Sequence, residues 1–250
     1  WVQKCKFKAY SLELVLTPRE LISELIRFSS DPEKAQPGWD MKDVFELVKN
    51  EKYVYQYISF PKSRRVTENI GESYHNIDNI PVFFDFNEKL LFVGSSSSDK
   101  LAKIESKGFK PLLNLTKISN FNYSGDFLYW LVCKYFFKEK LIDPNMSLEN
   151  ICVISSNSEI SNYRDKVECS VDVIEYPQAK VLLALGNSLS TLRIQSKYFG
   201  KIIEFIIQND GRIDLLYHDD MDEDDLGVKY ECVKNTHEMV QLAYNKYLSE

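Results

Sequence analysis

Three kinds of side chain in this sequence could carry chemistry: a histidine beside carboxylates, carboxylates near a lysine, and short clusters of cations. His218 precedes Asp219 and Asp220, and hard carboxylate oxygens bind Mg²⁺ or Ca²⁺. An acidic run after a strand is more often a solvated loop, and neither an EF-hand spacing nor an HExxH motif occurs. We therefore predict no metal site and no cofactor. A metal-dependent nuclease that uses Asp219 and Asp220 stays as the third alternative for function.

Other catalytic motifs are either absent or have residues at the wrong spacing. Asp85, Glu88 and Lys89 have the residue types of a metal-dependent nuclease, but Glu88 and Lys89 are neighbours in a predicted turn. The serines at 95–98 follow Gly94 without the GxxxxGK[ST] pattern of a phosphate-binding loop, so we interpret them as a helix N-terminus. GxSxG is also absent from the sequence. The sequence therefore predicts a non-enzymatic protein with no catalytic residue.

Lysines and arginines are the more informative group. Lys4, Lys6 and Lys8 alternate along one predicted strand, a tight basic cluster lies within 62–65, and further cations border a predicted sheet near residue 193. If these cations converge in space, they form a stripe that binds phosphates on an otherwise acidic protein. The alternative is that each is an ordinary solvated charge. The predicted DNA-binding residues are Lys62, Arg64, Arg65, Arg193, Lys197, Lys4, Lys6 and Lys8.

Aromatic side chains in one predicted strand offer a second mode of binding. Tyr53, Tyr55 and Tyr57 alternate along that strand, and exposed aromatic rings on a sheet can stack on bases. Packing of these rings against a helix is the alternative interpretation.

Composition limits the class of protein. The chain has 250 residues, a formal net charge of −6 and 44% hydrophobic residues, which is typical of a globular protein of one large domain or two packed halves. The negative charge argues against a protein that coats nucleic acid, but it permits a local basic patch. Five scattered cysteines predict reduced thiols in the cytoplasm. No apolar run approaches the roughly 18 residues that span a bilayer, so we expect no membrane partner.

The pattern of hydrophobic residues predicts an α+β fold, with antiparallel sheets in two intimately packed halves and helices on one side. The halves are expected at 1–145 and 146–250, the second being strand-rich. Thr17, Pro18 and Glu20 form the capping box of the first helix. The predicted helices are 17–28, 40–50, 98–107, 125–141, 177–186 and 235–249, and the predicted strands are 4–14, 52–60, 80–86, 90–94, 109–115, 151–156, 166–176, 189–195, 201–207 and 212–218.

The least ambiguous part of this prediction is a three-stranded meander at 189–218. Two β-rich runs, KIIEFII and RIDLLYH, flank Asp210 and Gly211, and Asp-Gly between alternating hydrophobic residues is a strong hairpin signal. A third run feeds this hairpin through a Tyr-Phe-Gly turn. The meander supplies architecture and carries no catalytic motif.

Three stretches follow one another in a suggestive order: FKAYSLELVLTPRELISELIRF, FFDFNEKLLFVGSSSSDKLAKIESKGFKPL and LSTLRIQSKYFGKIIEFIIQNDGRIDLLYH. This order resembles the RdgC family of bacterial recombination-associated proteins, which bind duplex DNA as ring-shaped dimers. The phage-exclusion protein RexA is a looser comparison of the same kind. The long helical finger of RdgC proteins has no counterpart here, because only residues 61–79 lie at its place. No functional residue is therefore carried over from that family.

The resemblance implies a largely sequence-independent duplex DNA-binding protein that acts as a homodimer in DNA recombination or antiviral defence. The alternative from a different class is a protein-interaction subunit of a defence or assembly complex, with the apolar helix 125–141 as its docking element. A continuous basic surface would favour DNA, and an acidic surface with an exposed apolar patch would favour a protein partner.

Overall fold

The structure is a computed structural model that describes residues 5–14, 17–29, 38–40, 53–62, 76–94, 98–110, 112, 116–157, 164–168, 177, 189–222 and 225–250. The chain forms two compact units: an N-terminal unit, Lys8–Asn120, and a C-terminal unit, Trp1–Phe7 with Phe121–Glu250. Each contains antiparallel strands together with helices, so the predicted α+β class is confirmed. The division falls at residue 120, not at residue 145, because the helix predicted at 125–141 packs on strands of the C-terminal unit.

The strands are numbered in chain order. They are β1 Cys5–Leu14, β2 Gly38–Asp40, β3 Tyr53–Lys62, β4 Asn76–Asp85, β5 Leu90–Val93, β6 Thr116–Asn120, β7 Leu141–Asp143, β8 Met146–Asn157, β9 Arg164–Glu168, β10 Leu189–Tyr198, β11 Lys201–Gln208 and β12 Arg212–His218. The helices are α1 Pro18–Arg27, α2 Ser98–Lys103, a π-helical turn Ile104–Gly108, α3 Gly125–Phe136 and α4 Leu226–Ser249. None of these helices is long and apolar enough to cross a membrane.

The N-terminal unit is built on strands in the order β2-β3-β4-β5-β1, with β6 also paired to β1. Its apolar core gathers strand residues such as Tyr10 and Leu91 with Leu21 and Leu25 of α1. The buried Trp39 ring joins this core, and its indole N–H donates to the Gly108 carbonyl over 3.0 Å. A buried indole that is paired in this way adds apolar area without leaving a polar group unsatisfied.

Helix α1 begins as the sequence predicts. The Thr17 hydroxyl accepts the Glu20 N–H, and the Glu20 carboxylate accepts the Thr17 N–H over 2.8 Å, so the capping box is confirmed. The Glu20 carboxylate accepts hydrogen bonds from the Thr17 N–H and the Thr17 hydroxyl, and both lower the pKa of Glu20. Leu21 and Leu25 form the buried stripe of the helix, whereas Ile26 is 49% exposed.

The C-terminal unit carries the predicted meander. Strand β11 lies between β10 and β12 and pairs antiparallel with both. Strand β8 pairs with the other edge of β10, and β7 and β9 both pair with β8. Alternate residues, including Ile194, Ile203, Phe205 and Leu215, are buried on the face that α3 and α4 cover. Burial of each of these side chains stabilises the fold by roughly 1.5–3 kcal/mol. The opposite face of the meander carries the polar residues.

The closing helix is longer than predicted. We expected it to begin near residue 235, with Asn235 or Thr236 as its cap. Helix α4 instead begins at Leu226. The Asp225 carboxylate caps it by accepting the N–H groups of Gly227 and Val228. Thr236 is fully buried within the helix, and its hydroxyl donates to the Cys232 carbonyl. The acidic run therefore ends in a cap instead of continuing as a loop.

Three other boundaries differ from the prediction. Helix α3 ends at Phe136, and the left-handed Lys138, at φ 61°, directs the chain into β7. Of the strand predicted at 109–115, the structure describes only 109, 110 and 112, which lie in a bend and turns with Phe109 and Leu112 buried, and a strand lies at 116–120. The helices predicted at 40–50 and 177–186 and the strand beyond residue 168 lie outside the described residues, apart from Asp40 at the end of β2 and Pro177.

Candidate nucleic-acid interface

The structure describes only part of the predicted phosphate-binding set. Lys4, Arg64 and Arg65 lie outside the described residues, and Lys62 is described only as the last backbone position of β3. The side chains of Tyr53, Tyr55 and Tyr57 are likewise outside the description, so their role in base stacking stays a prediction. Arg193, Lys197, Lys6 and Lys8 can be placed.

Lys8 does not lie on a solvated face. Its side chain is 10% exposed, its ammonium lies 3.7 Å from the Glu105 carboxylate, and it sits 5.5 Å from the centre of the Tyr10 ring. The Tyr10 hydroxyl donates to the same carboxylate over 3.0 Å. A buried ammonium needs such partners to offset its lost hydration, so Lys8 belongs to the packing of the N-terminal unit. The expected ladder of exposed lysines is wrong at this position.

Arg193 is matched by a carboxylate on the neighbouring strand. Its guanidinium approaches Glu204 of β11 with two nitrogens, at 2.6 Å from Nε and 2.5 Å from the terminal Nη2. The two side chains are only 36% and 20% exposed. Because a two-point ion pair of this kind neutralises the guanidinium and fixes its direction, Arg193 presents little free charge to a phosphate.

Two lysines of the C-terminal unit, Lys6 and Lys201, also have carboxylate partners. Lys6 lies 3.5 Å from Asp214 of β12, and Lys201 pairs with Asp220 at the other end of the same hairpin. The hydrogen bond from Lys201 to Asp220 raises the pKa of the lysine. In the part of the C-terminal unit that the structure describes, these cations therefore alternate with carboxylates instead of forming a basic stripe.

Lys197 is the exception among these residues. It is exposed on the polar face of β10, opposite Ser147 of β8, and no carboxylate of the described residues lies within 4.0 Å of its ammonium. It lines a surface pocket of about 340 Å³ at the end of the sheet. That pocket is lined by Leu141, Pro144, Asn145, Met146, Ser147, Lys197, Phe199 and Gly200.

Two turns build this pocket, and the polypeptide backbone holds them together. The β10–β11 turn has only two residues between paired strand ends, Phe199 at φ 46° and Gly200 at φ 82°. Phe199 donates its backbone N–H to the Asn145 carbonyl of the β7–β8 turn over 2.9 Å. The Phe199 ring is 63% exposed and Leu141 is 68% exposed. The site thus combines one unpaired cation with apolar surface; we call it the turn pocket.

Sequence reasoning found Lys197 and missed the rest of the turn pocket. Phe199 was noticed only as part of a turn, and Leu141 was assigned to the end of a helix. The available signal was Phe199 itself. Two-residue hairpin turns favour Asn-Gly, so a large aromatic residue before the glycine is unusual and marks the turn. The approach of residues 144–147 could not be inferred, because it depends on the pairing of β8 with β10.

The acidic segment after β12 is held by its own hydrogen bonds. His218 is buried, and its Nδ1 accepts the Asp220 N–H over 3.1 Å; burial lowers the pKa of His218. The Asp219 carboxylate accepts the Ile202 N–H and the Tyr217 hydroxyl, which lower its pKa. Within the described part of the chain, no group of three or more His, Cys, Asp or Glu side chains has the arrangement of a metal site.

Comparison with known proteins adds no relative. No protein-family model matches the chain, and no curated protein matches it. The fold and the turn pocket define it only as an α+β protein with a small cationic and aromatic surface site. The resemblance to RdgC proteins stays a prediction.

Proposed function

We propose that this chain is a non-enzymatic, largely sequence-independent DNA-binding protein that contacts duplex DNA with the turn pocket. The observation that carries the proposal is Lys197, whose ammonium lacks a carboxylate partner among the described residues and which lines the same pocket as the exposed Phe199. A lysine of this kind binds a phosphate oxygen without reading a base. An aromatic ring at a hairpin tip adds contact area that does not depend on sequence.

The ion pairs limit how strong this binding is. Each phosphate that is neutralised contributes about −0.9 to the slope of log Kobs against log salt. Arg193, Lys6 and Lys201 already have carboxylate partners, so among these four cations Lys197 alone is available without breaking a pair. We therefore propose moderate affinity with a shallow salt dependence, strengthened by the basic cluster at 62–65.

The direct test is a fluorescence-anisotropy titration of a labelled 20-base-pair duplex at several salt concentrations. Lys197→Gln is expected to weaken binding to every sequence and to reduce the salt slope by about 1. Lys110→Gln is the matched control, since it removes the charge of an exposed lysine from the N-terminal unit. Absence of wild-type binding at low salt, or equal losses in both variants, would contradict the proposal.

The cluster at 62–65 is tested separately. Joint replacement of Lys62, Arg64 and Arg65 by alanine is expected to weaken binding across all sequences and to flatten the salt slope further. A variant that binds with the wild-type slope would remove these residues from the interface and leave the turn pocket as the contact.

The biological setting belongs to the same proposal. The resemblance to RdgC and RexA proteins supports a homodimer that acts in recombination or antiviral defence in the cytoplasm. Analytical ultracentrifugation at micromolar concentration tests the dimer, for which the expected mass is twice the 29.2 kDa of this chain.

A protein-interaction subunit is the second candidate, and one observation favours it. Phe199 and Leu141 are exposed apolar side chains, and two ion pairs of the same unit, Arg193–Glu204 and Lys201–Asp220, leave little free charge on the meander. The docking element is not α3, as the sequence suggested, because Phe127, Leu131 and Tyr135 of that helix are buried. This candidate predicts a stable partner complex and no response to DNA.

A further inference from the structure

The conformation of Phe199 is unfavourable for its residue type. Both residues of the β10–β11 turn have positive φ, a geometry that glycine and asparagine adopt readily and that bulky residues rarely adopt. Phe199 stands where the turn itself favours asparagine. The fold therefore gives no reason for a phenylalanine at this position.

The surroundings of the ring do not supply a structural reason either. The ring is 63% exposed, and its neighbour Tyr198 meets it edge-on with 4.7 Å between the ring centres. A hydrogen bond from the Phe199 N–H to the Asn145 carbonyl fixes the backbone from which the ring projects. An exposed aromatic face is suited to stacking against a second planar group.

The rest of the turn pocket indicates what that planar group carries. Lys197 is the cation among the residues that line the pocket. Ser147, which is paired directly with Lys197 across β8 and β10, donates its hydroxyl to the exposed Glu149 carboxylate over 2.6 Å. A phosphate is expected to bind Lys197, while the uncharged part of the ligand occupies the space beside Phe199. The volume of about 340 Å³ lies at the lower end of the range for small-ligand sites.

We propose that the turn pocket takes a single unpaired base of DNA, stacked on Phe199, with the adjoining phosphate on Lys197. This inference rests on the proposed DNA-binding function and specifies its substrate: duplex DNA that contains a short unpaired segment. Every base has a flat aromatic face, so such stacking is independent of sequence. A base within an intact duplex is unavailable, because both of its faces are already stacked and its removal from the stack requires energy.

The experiment compares a perfect duplex with the same duplex carrying a gap of three nucleotides on one strand, both labelled and measured by anisotropy. The wild type is expected to bind the gapped duplex more tightly. Phe199→Asn keeps the positive-φ turn but removes the ring, and it is expected to lose about 5- to 150-fold in affinity for the gapped duplex, the loss of one stacked base. Its affinity for the perfect duplex is expected to fall by a smaller factor, so that the preference for the gapped duplex is lost.

Phe137→Asn is the matched control, because Phe137 is also an exposed phenylalanine but does not line the pocket. Phe199→Trp provides a second measurement that does not rely on loss of binding. It is expected to keep the preference for the gapped duplex, and its added tryptophan fluorescence is expected to be quenched when a base stacks on the indole.

The outcomes separate the two proposals. If the wild type binds neither DNA, the proposed function fails and this inference fails with it. If the wild type binds both DNAs equally, or if Phe199→Asn retains the preference for the gap, only the inference of an unpaired base is overturned. A protein partner that binds the wild type but not Phe199→Asn, in the absence of any DNA binding, would assign the ring to the second candidate function.

Discussion

The two turns of the meander have the same glycine geometry but opposite surroundings. Gly211, in the β11–β12 turn, has φ 86°, and a Cβ atom placed there would lie 1.7 Å from the Phe121 carbonyl oxygen. Gly200, in the β10–β11 turn, has φ 82°, and a Cβ atom there would have nothing within 4 Å. One end of the hairpin is thus enclosed by the chain, and the other is open to solvent.

Backbone hydrogen bonds tie both turns to other segments, but the exposure of the turn residues differs. Beside Gly211, Asn209 accepts the Tyr123 N–H over 2.9 Å and donates its own N–H to the Ser190 carbonyl over 3.1 Å. Beside Gly200, Phe199 donates its N–H to the Asn145 carbonyl over 2.9 Å and is itself 63% exposed. The enclosed end positions the sheet relative to the segment before α3, whereas the open end carries side chains that the fold does not need. Function is therefore expected at the open end.

The largest effect is expected for Gly211→Ala. The added methyl group would overlap a backbone oxygen and require positive φ of an L-residue, so we expect a loss of roughly 3 kcal/mol or more in the free energy of unfolding. Urea denaturation followed by circular dichroism measures it. A loss below 1 kcal/mol would show that the segment at Phe121 moves away easily, and the contrast between the turns would disappear.

The enclosed end should also be sensitive to pH. His237 packs on the Phe121 ring with 4.7 Å between the ring centres, and burial lowers its pKa to about 4. The unfolded chain binds a proton near pH 6.5 and the folded chain does not. Stability is therefore fully present above pH 6.5 and is lost as the pH falls toward 4, by up to about 1.4 kcal/mol per pH unit from this residue.

The measurement is the free energy of unfolding at several pH values between 4 and 7.5, for the wild type and for His237→Gln. The variant should show a shallower slope whatever its absolute stability, although His218 and the carboxylates keep some slope in both proteins. Identical slopes in the two proteins would mean that His237 keeps its ordinary pKa.

Gly200→Ala is the matched counterpart of Gly211→Ala. Only the positive φ opposes the added methyl group, so the expected loss is about 1–2 kcal/mol. Urea denaturation followed by circular dichroism measures this loss. A loss as large as that of Gly211→Ala would imply contacts at the open end that the structure does not contain.

The smallest effect on stability is expected at the Arg193–Glu204 pair. Partly exposed ion pairs contribute less than about 1 kcal/mol to the free energy of unfolding. A double-mutant cycle with alanine at both positions measures this contribution by urea denaturation.

DNA binding is the more informative measurement for the same pair. Glu204→Gln frees the guanidinium and should tighten binding and steepen the salt slope, whereas Arg193→Ala should change binding little. The opposite order would mean that Arg193 already contacts phosphate despite its carboxylate partner.

The meander could be predicted from sequence because its information is local. Asp210-Gly211 and the strict alternation in β11 determine both the turn and the buried face. The capping box of α1 is local in the same sense. The start of α4 was missed because nine residues after Asp225 show no clear amphipathic pattern, and their helical state depends on packing against the sheet.

The candidate site was less predictable than the fold. Residue type alone marked Arg193 and Lys197 as equivalent, and only the register of β10 with β11 shows that one is neutralised by Glu204 and the other is not. The burial of Lys8 follows from Glu105 on the π-helical turn, nearly one hundred residues away in the chain. Whether a lysine or arginine is free to bind a phosphate depends on carboxylates that lie far away in the chain, and the sequence does not reveal these partners.

The most direct test of the central claim is amide chemical-shift mapping of the isotopically labelled protein during titration with the gapped duplex. Apart from shifts at the basic cluster, 62–65, the account predicts shifts confined to the residues of the open end, namely 141–147 and 197–201, with no change at the enclosed turn, 209–211. Saturable shifts at 209–211 with none at 197–201 would contradict it, and so would a spectrum that does not respond to DNA.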